Sequence, residues 1–293
     1  MLTGRITKAL SGFYYVTTQD HVTYQTRARG VFRNQNITPL VGDYVEFSVE
    51  DDQDGTVTKI FDRKNQMERP PVSNIDTGFI ITSAVEPTLS KKLLDRTLVL
   101  LESLHIRPII YITKMDLADD TTKEEIFKLK SYYESIGYIF EYNLTGDVDK
   151  ELFKELINED AVVFMGQSGV GKSTLLNKLD PTLDLKTGEI STALGRGRHT
   201  TRHVELVPIF NGYIADTPGF SSLELGDIEK EELTQYFPEF WTRRTECKFN
   251  GCMHNKEPKC AVKEAVKSGE IAEHRYQNYL MFLEEIESRK PKY

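Results

Sequence analysis

The segment Gly166-Gln167-Ser168-Gly169-Val170-Gly171-Lys172-Ser173 fits G-x-x-x-x-G-K-[ST], and it stands where that pattern has physical meaning. Ala161 to Met165 before it is an unbroken apolar run that reads as a buried strand, and Ser173 to Leu179 after it opens a helix. The glycines let successive backbone N–H groups converge on phosphate oxygens. The new helix points its partial positive end at the same place. Lys172 is expected to reach the β- and γ-phosphates and to act in catalysis, and Ser173 to bind Mg²⁺. Gln167, Ser168, Val170 and Thr174 complete the expected nucleotide-binding loop.

That loop does not choose a base. Thr113-Lys114-Met115-Asp116, after the strand-like Pro108 to Ile112, resembles the N/T-K-x-D element that specifies guanine. A carboxylate at Asp116 can accept hydrogen bonds from guanine N1–H and the exocyclic amine. Adenine offers neither donor and leaves that carboxylate unpaired, a strong basis for selection. Lys114 is expected to lie along the base plane. Asp216-Thr217-Pro218-Gly219 follows the short strand Tyr213 to Ala215 and supplies a D-x-x-G element. Asp216 is expected to support Mg²⁺ through water, and the Gly219 amide to sense the γ-phosphate.

Between these elements lies Gly195-Arg196-Gly197-Arg198-His199-Thr200-Thr201-Arg202-His203, glycine-rich and basic, in the place of a first switch loop. Thr201 is expected to bind Mg²⁺, with Thr200 as the alternative. The residue after Gly219 is Phe220, where many GTPases place a water-orienting glutamine. His199 is the nearest group able to relay a proton; contact with RNA, or capping of the loop, are the other roles open to it. The motif order is unusual, because the guanine element precedes the phosphate loop. The sequence therefore implies a circularly permuted domain, which is tolerable because domain termini lie close together at the surface.

The segment before this region reads differently. Phe13–Thr18, His21–Ala28, Tyr44–Val49 and Thr56–Ile60 are rich in β-branched and aromatic residues, with turn signals at Ser11-Gly12 and Asp54-Gly55. Val22, Tyr24, Thr26 and Ala28 share one predicted face, and Val45, Phe47 and Val49 another. About five short strands suggest a small barrel, such as an OB-fold. Residues 1–33 carry Arg5, Lys8, Arg27, Arg29 and Arg33 against Asp20 alone, a basic end suited to RNA. Arg69-Pro70-Pro71 marks a boundary. Strands and helices then alternate: a strand at Gly78–Ser83, leucines from 93 to 104 at helical spacing, a helix over Glu124–Ile136, a strand over Tyr138–Tyr142 and a helix over Lys150–Ile157. This predicts a mainly parallel sheet covered by helices on both faces.

Net charge matters for partners. Lys plus Arg total 37 and Asp plus Glu 45, a formal −8. Any contact with RNA must therefore come from local patches. No run of about 18 apolar residues is present, and Met1–Leu10 lacks the apolar segment of a secretory signal. A cytoplasmic protein is expected. All three cysteines cluster in Cys247-x₄-Cys252-x-His254-x₅-Cys260, a full tetrahedral donor set for one structural Zn²⁺. Residues 240–263 around it carry six basic groups and two acids, a plausible RNA grip. Tyr276, Leu280, Leu283 and Ile286 mark an amphipathic helix beyond it.

Assembled, these motifs resemble the bacterial ribosome small-subunit-dependent GTPase A (RsgA/YjeQ) family over nearly the whole chain. The resemblance implies an N-terminal OB-fold barrel (1–68), a central circularly permuted P-loop GTPase domain (69–225) and a C-terminal zinc-binding helical domain (226–293). It implies hydrolysis of GTP to GDP with Mg²⁺, stimulated by the small (30S) subunit, and a role in late subunit maturation on 16S rRNA. By the same resemblance His199 matches a histidine proposed to act in catalysis, and Cys247, Cys252, His254 and Cys260 match the zinc ligands. Asn143 and Leu144 fall in the last guanine-contacting loop, where Asn143-Leu144-Thr145 departs from the commoner S-A-[KL] form. Nothing in the sequence demands more than a monomer. A nucleotide-gated RNA-binding protein that needs GTP occupancy rather than turnover is the second reading, and an ATP-dependent kinase or motor the third.

Overall fold

A computed structural model of the chain describes residues 1–30, 32, 37–49, 54–68, 70–185, 204–216, 224–226 and 228–289. The chain forms two compact units, Met1–Phe79 with Val148–Ser221 and Ile80–Asp147 with Ser222–Tyr293.

The first unit begins with five strands: β1 (Leu2–Leu10), β2 (Phe13–Thr17), β3 (Thr23–Ala28), β4 (Tyr44–Ser48) and β5 (Gly55–Ile60). Strand β1 pairs antiparallel with β2 and β4, β2 with β3, and β4 with β5, while β3 and β5 run parallel. The ring closes in the order of an OB-type barrel. Ile6, Val16, Val45, Phe47 and Val57 fill it. The expected strand around His21 starts two residues later, because Thr18 N–H and Val22 C=O close a turn in which His21 has φ +60°. Val22 and Val49 fall outside the strands and are exposed.

Strand β1 itself carries no alternating apolar pattern. A register shift between Ile6 and Lys8 explains this, since it buries three consecutive residues, Arg5, Ile6 and Thr7. The expected basic end is largely spent within the unit. Arg5 is buried and donates to Gly42 O and Asn74 O, Lys8 pairs with Glu205 at 2.8 Å, and Arg27 pairs with Asp54 at 3.3 Å. Arg29 is exposed, and Arg33 lies outside the described residues. Asp43, wholly buried, accepts from Arg63, Ser73 Oγ and Leu40 N–H, which fixes the following segment to the barrel.

Next come a short hairpin, β6 (Gln66–Glu68) and β7 (Pro71–Ser73), and then an alternating series. It runs β8 (Thr77–Ser83), α1 (Lys91–Ser103), β9 (Arg107–Thr113), α2 (Asp120–Ser135), β10 (Ile139–Tyr142), α3 (Lys150–Ile157), β11 (Ala161–Met165), α4 (Lys172–Leu179), β12 (Glu205–Ile209) and β13 (Gly212–Asp216). In the first unit the strand order is β11-β13-β12-β1-β2-β3-β5-β4; in the second it is β10-β9-β8. The pairs β9–β10 and β11–β13 are parallel, as the alternation predicts, while β12 is antiparallel to β13 and meets β1 at Lys8 and Glu205. Strand β11 is completely buried, with Phe164 stacked on Phe79 at 4.7 Å.

The second unit continues with α5 (Pro238–Arg243), α6 (Ala261–Ser268) and α7 (Glu273–Glu287). Its core gathers Phe237, Phe240, Tyr279, Phe282 and Leu283 with Val99 of α1. The buried face of α7 carries Arg275, Asn278, Tyr279, Phe282 and, as expected, Leu283 and Ile286; Tyr276 and Leu280 only flank it. The polar members are explained by a buried network. Arg275 donates to Asp95 at 2.8 Å and, through two nitrogens, to Glu239 at 2.7 and 3.1 Å. Asp95 also accepts from Tyr133 OH and Asn278 Nδ2, both at 2.6 Å. Four helices are thereby locked through charge whose every partner is in place. Among the described residues no helix is long and apolar enough to cross a membrane.

Candidate functional site

Three places carry the residues singled out by the sequence. The first is the turn between β11 and α4. Gly169 and Gly171 adopt left-handed φ values of +84° and +88°, and Gly171 caps α4, whose first residues are Lys172 and Ser173. A side chain at either glycine would strain this turn. Val170 points inward and is buried, anchoring the loop, whereas Gln167, Ser168 and Gly169 are exposed and Gly166, Lys172 and Ser173 half-buried. Thr174, one residue on, is exposed. Buried strand, glycine turn and helix N-terminus thus form a backbone cradle that can receive phosphate oxygens.

The second place is the C-terminal end of β9, in the other unit. Thr113 Oγ1 donates to Thr82 O at 3.1 Å and its carbonyl accepts from Ala84 N–H at 3.0 Å, so the strand end is held. Lys114 takes φ +57° and its ammonium donates to the Glu86 carbonyl. Asp116 is exposed, in a single 3-10 turn. Asn143 Oδ1 accepts from both Thr145 N–H and Thr145 Oγ1, at 2.7 and 2.8 Å, which bends the next loop and leaves Leu144 exposed. The sequence reading overlooked Gly146. It has φ +76°, and a Cβ there would sit 3.0 Å from Asp116 Oδ2. The 143–147 loop therefore closes on the carboxylate expected to read guanine. The only signal was a glycine in a loop whose neighbours depart from the familiar form.

The third place is the cysteine cluster. The ligand atoms of Cys247, Cys252, His254 and Cys260 all lie within 4.8 Å of one another. His254 Nδ1 is 3.3 Å from Cys260 Sγ and 3.7 Å from Cys247 Sγ, and the two sulfurs are 3.9 Å apart. Bonds of about 2.0–2.3 Å to a tetrahedral zinc space the ligands about 3.3–3.8 Å apart, so the donor set fits that ion. Burial pushes the Cys252 thiol up to about 12 and His254 down to about 4, since neither charged form has solvent. A divalent cation reverses that for the thiols. His254 Nε2 is buried without a hydrogen-bond partner, its ring edge-on to Phe240. The loop is held by Glu257, which accepts from Met253 and Asn255 N–H, and by Tyr276 OH on the His254 carbonyl. Four protein donors would leave such an ion no open position, the pattern of a structural rather than a catalytic site.

Asp216 ends β13, in register with Glu205. His199, Thr200, Thr201 and Gly219 lie outside the described residues.

A strand–glycine loop–helix bearing G-x₄-G-K-S, with the guanine-type element earlier in the chain, defines a circularly permuted P-loop protein. A barrel precedes it and a Cys₃His centre follows. Residues 60–226 match the RsgA GTPase family model, and residues 3–57 that of the RsgA N-terminal domain. The chain is 57% identical to small ribosomal subunit biogenesis GTPase RsgA 2 of Oceanobacillus iheyensis and 56% to small ribosomal subunit biogenesis GTPase RsgA of a Geobacillus species, over 100% of both chains in each case. Among solved structures it is similar to YloQ, a circularly permuted GTPase (TM-score 0.84, 46% identity, covering 100% of this chain and 97% of that one). It is also similar to YjeQ from Thermotoga maritima (TM-score 0.87, 34% identity, 99% of each). The chain belongs to the RsgA GTPase family. It is a GTPase, an enzyme that hydrolyses GTP, and its cofactor chemistry is that of guanine nucleotides.

Proposed function

We propose that this GTPase is a late-stage assembly and maturation factor of the small (30S) ribosomal subunit, working in the cytoplasm as a monomer and gripping 16S rRNA in a nucleotide-dependent way. The observation that carries the reading is the end-to-end match, at more than half identity, to relatives named for small ribosomal subunit biogenesis. The working parts divide into an OB-fold barrel (1–68), a GTPase domain (69–225) and a zinc-binding domain (226–293).

In this reading Gly166 to Thr174 cradle the phosphates of GTP or GDP, and Lys172 neutralises charge on the β- and γ-phosphates. Thr113, Lys114, Asp116, Asn143 and Leu144 hold the guanine. Mg²⁺, when bound, draws charge from the phosphates; Ser173 and Thr201 are its protein ligands, Asp216 supports it through water, and Thr200 and Gly219 complete the phosphate sensor. His199 positions the attacking water, a role Phe220 cannot take. Cys247, Cys252, His254 and Cys260 hold one structural Zn²⁺.

The test is GTP turnover by the pure protein with and without purified small subunits, with ATP and large subunits as controls. Strong stimulation by small subunits and GTP alone is expected; its absence overturns the partner. His199→Ala is expected to lose stimulated turnover while retaining GTP affinity, and unchanged turnover removes the catalytic assignment. Lys172→Ala is expected to abolish all nucleotide-dependent behaviour.

A further inference from the structure

The surface around the Cys/His centre carries charge and aromatic area that the fold does not use. The chain as a whole is acidic, with a formal −8. Arg243 is paired with Glu270 and Glu246, and Lys263 donates to the Asn255 carbonyl. Glu257, the acid within this stretch, is consumed by two backbone N–H groups. That leaves Arg244, Lys248, Lys256 and Lys259, all exposed and none within ion-pairing distance of a carboxylate among the described residues.

Two of these cations lie over aromatic rings. The Arg244 guanidinium sits 3.4 Å from the Trp241 ring centroid, and the Lys248 ammonium 5.3 Å from that of Phe249. Trp241 remains 42% exposed and Phe249 41%. Neither ring belongs to the core, which includes Phe237 and Phe240. The carriers are rigidly hung. Cys247 N–H donates to the Arg244 carbonyl, Lys248 N–H donates to the Lys259 carbonyl, and Arg244 also donates to the Trp241 carbonyl. A cation held against a half-exposed ring suits an unpaired nucleobase, which stacks on the ring while the cation meets its phosphate. A base-paired helix cannot use such rings, because its bases are already stacked.

We propose that Trp241 and Phe249, with Arg244, Lys248, Lys256 and Lys259, form a stacking platform for unpaired RNA nucleotides. The proposal rests on the reading of the chain as a factor that acts on ribosomal RNA, and narrows that contact to single-stranded bases. Trp241 is the one tryptophan in the sequence, so its emission reports on this surface alone.

The experiment uses the full chain saturated in turn with GDP and with a non-hydrolysable GTP analogue, so that no base competes for the nucleotide site and both nucleotide states are read. A short mixed-sequence single-stranded RNA and the same sequence as a duplex are titrated at equal phosphate concentration. Single strands are expected to quench Trp241 emission strongly, and duplex to leave it nearly unchanged. By anisotropy of labelled RNA, Trp241→Ala and Phe249→Ala are each expected to weaken single-strand binding about tenfold. Both should leave metal content and circular dichroism unchanged. Lys256→Gln with Lys259→Gln is expected to shallow the salt dependence while keeping the quench. Single-strand binding without a quench, or equal quenching by duplex, overturns the platform and leaves the RNA reading standing. No RNA binding of either kind overturns both. Unchanged RNA affinity in the Trp241→Ala and Phe249→Ala proteins overturns the platform.

Discussion

The glycine-rich turn after β11 and the Cys/His centre are built by opposite means. From Gly166 to Gly171 the shape is set by the backbone, with two left-handed glycines and one buried anchor, Val170, while Gln167 and Ser168 stay exposed. At Cys247–Cys260 the shape is set by side chains that converge and, Cys247 apart, are buried. A backbone cradle can be filled and emptied without disturbing the core, which suits a nucleotide that is bound, cleaved and released. A buried, closed donor set suits an ion that stays in place and stabilises the unit around it.

The largest effect expected from breaking this contrast is loss of the zinc. Binding in structural zinc sites is worth about 10–16 kcal/mol. Chelation should release about one zinc per chain and strip hydrogen-exchange protection from α5, α6 and α7. The β11–α4 turn should keep its protection; simultaneous loss in both places would show that the two are not independent. Next is Asp116→Asn. Asp116 is exposed, so melting temperature should hardly move. The preference for GTP over ATP should fall by about 10⁴-fold, measured by competition, because the expected reader no longer accepts the guanine donors. Smaller again is Arg275→Met, which leaves Asp95 and Glu239 buried and unpaired. It should cost about 3–5 kcal/mol in urea unfolding. Smallest is Gly146→Val, which strains a positive φ and crowds the Asp116 carboxylate. About 1–2 kcal/mol of strain should appear as roughly tenfold weaker GTP binding.

What was legible in the sequence follows the same division. Glycine spacing and cysteine spacing are local, so the phosphate loop and the metal centre could be read directly. The series from β8 to α4 was readable from its apolar rhythm. Strand β1 was not, because its bulge buries Arg5 and Thr7 and breaks alternation. Strand β12 escaped because Glu205 and Pro208 disguise a five-residue strand. The face of α7 was read in part: Leu283 and Ile286 are buried as expected, but Arg275 and Asn278 take core positions through partners distant in sequence and leave Tyr276 and Leu280 at its edge. Gly146 was invisible for a similar reason. Its role arises from a carboxylate about thirty residues earlier, and only the folded chain brings the two together.

The interleaving of the two compact units has a consequence for the birth of the molecule. Each is assembled from two stretches of chain: the first from Met1–Phe79 and Val148–Ser221, the second from Ile80–Asp147 and Ser222–Tyr293. During synthesis neither can complete its core when its opening stretch emerges. The barrel can close on its own five strands, but β11 and β13 of the first unit, and the α5–α7 helices that complete the core around Val99 and Asp95 in the second, are translated later. Long-range closure of this kind slows folding and prolongs the exposure of apolar strands. The nascent chain is therefore expected to lean on chaperones most heavily between the appearance of β8 and that of α7.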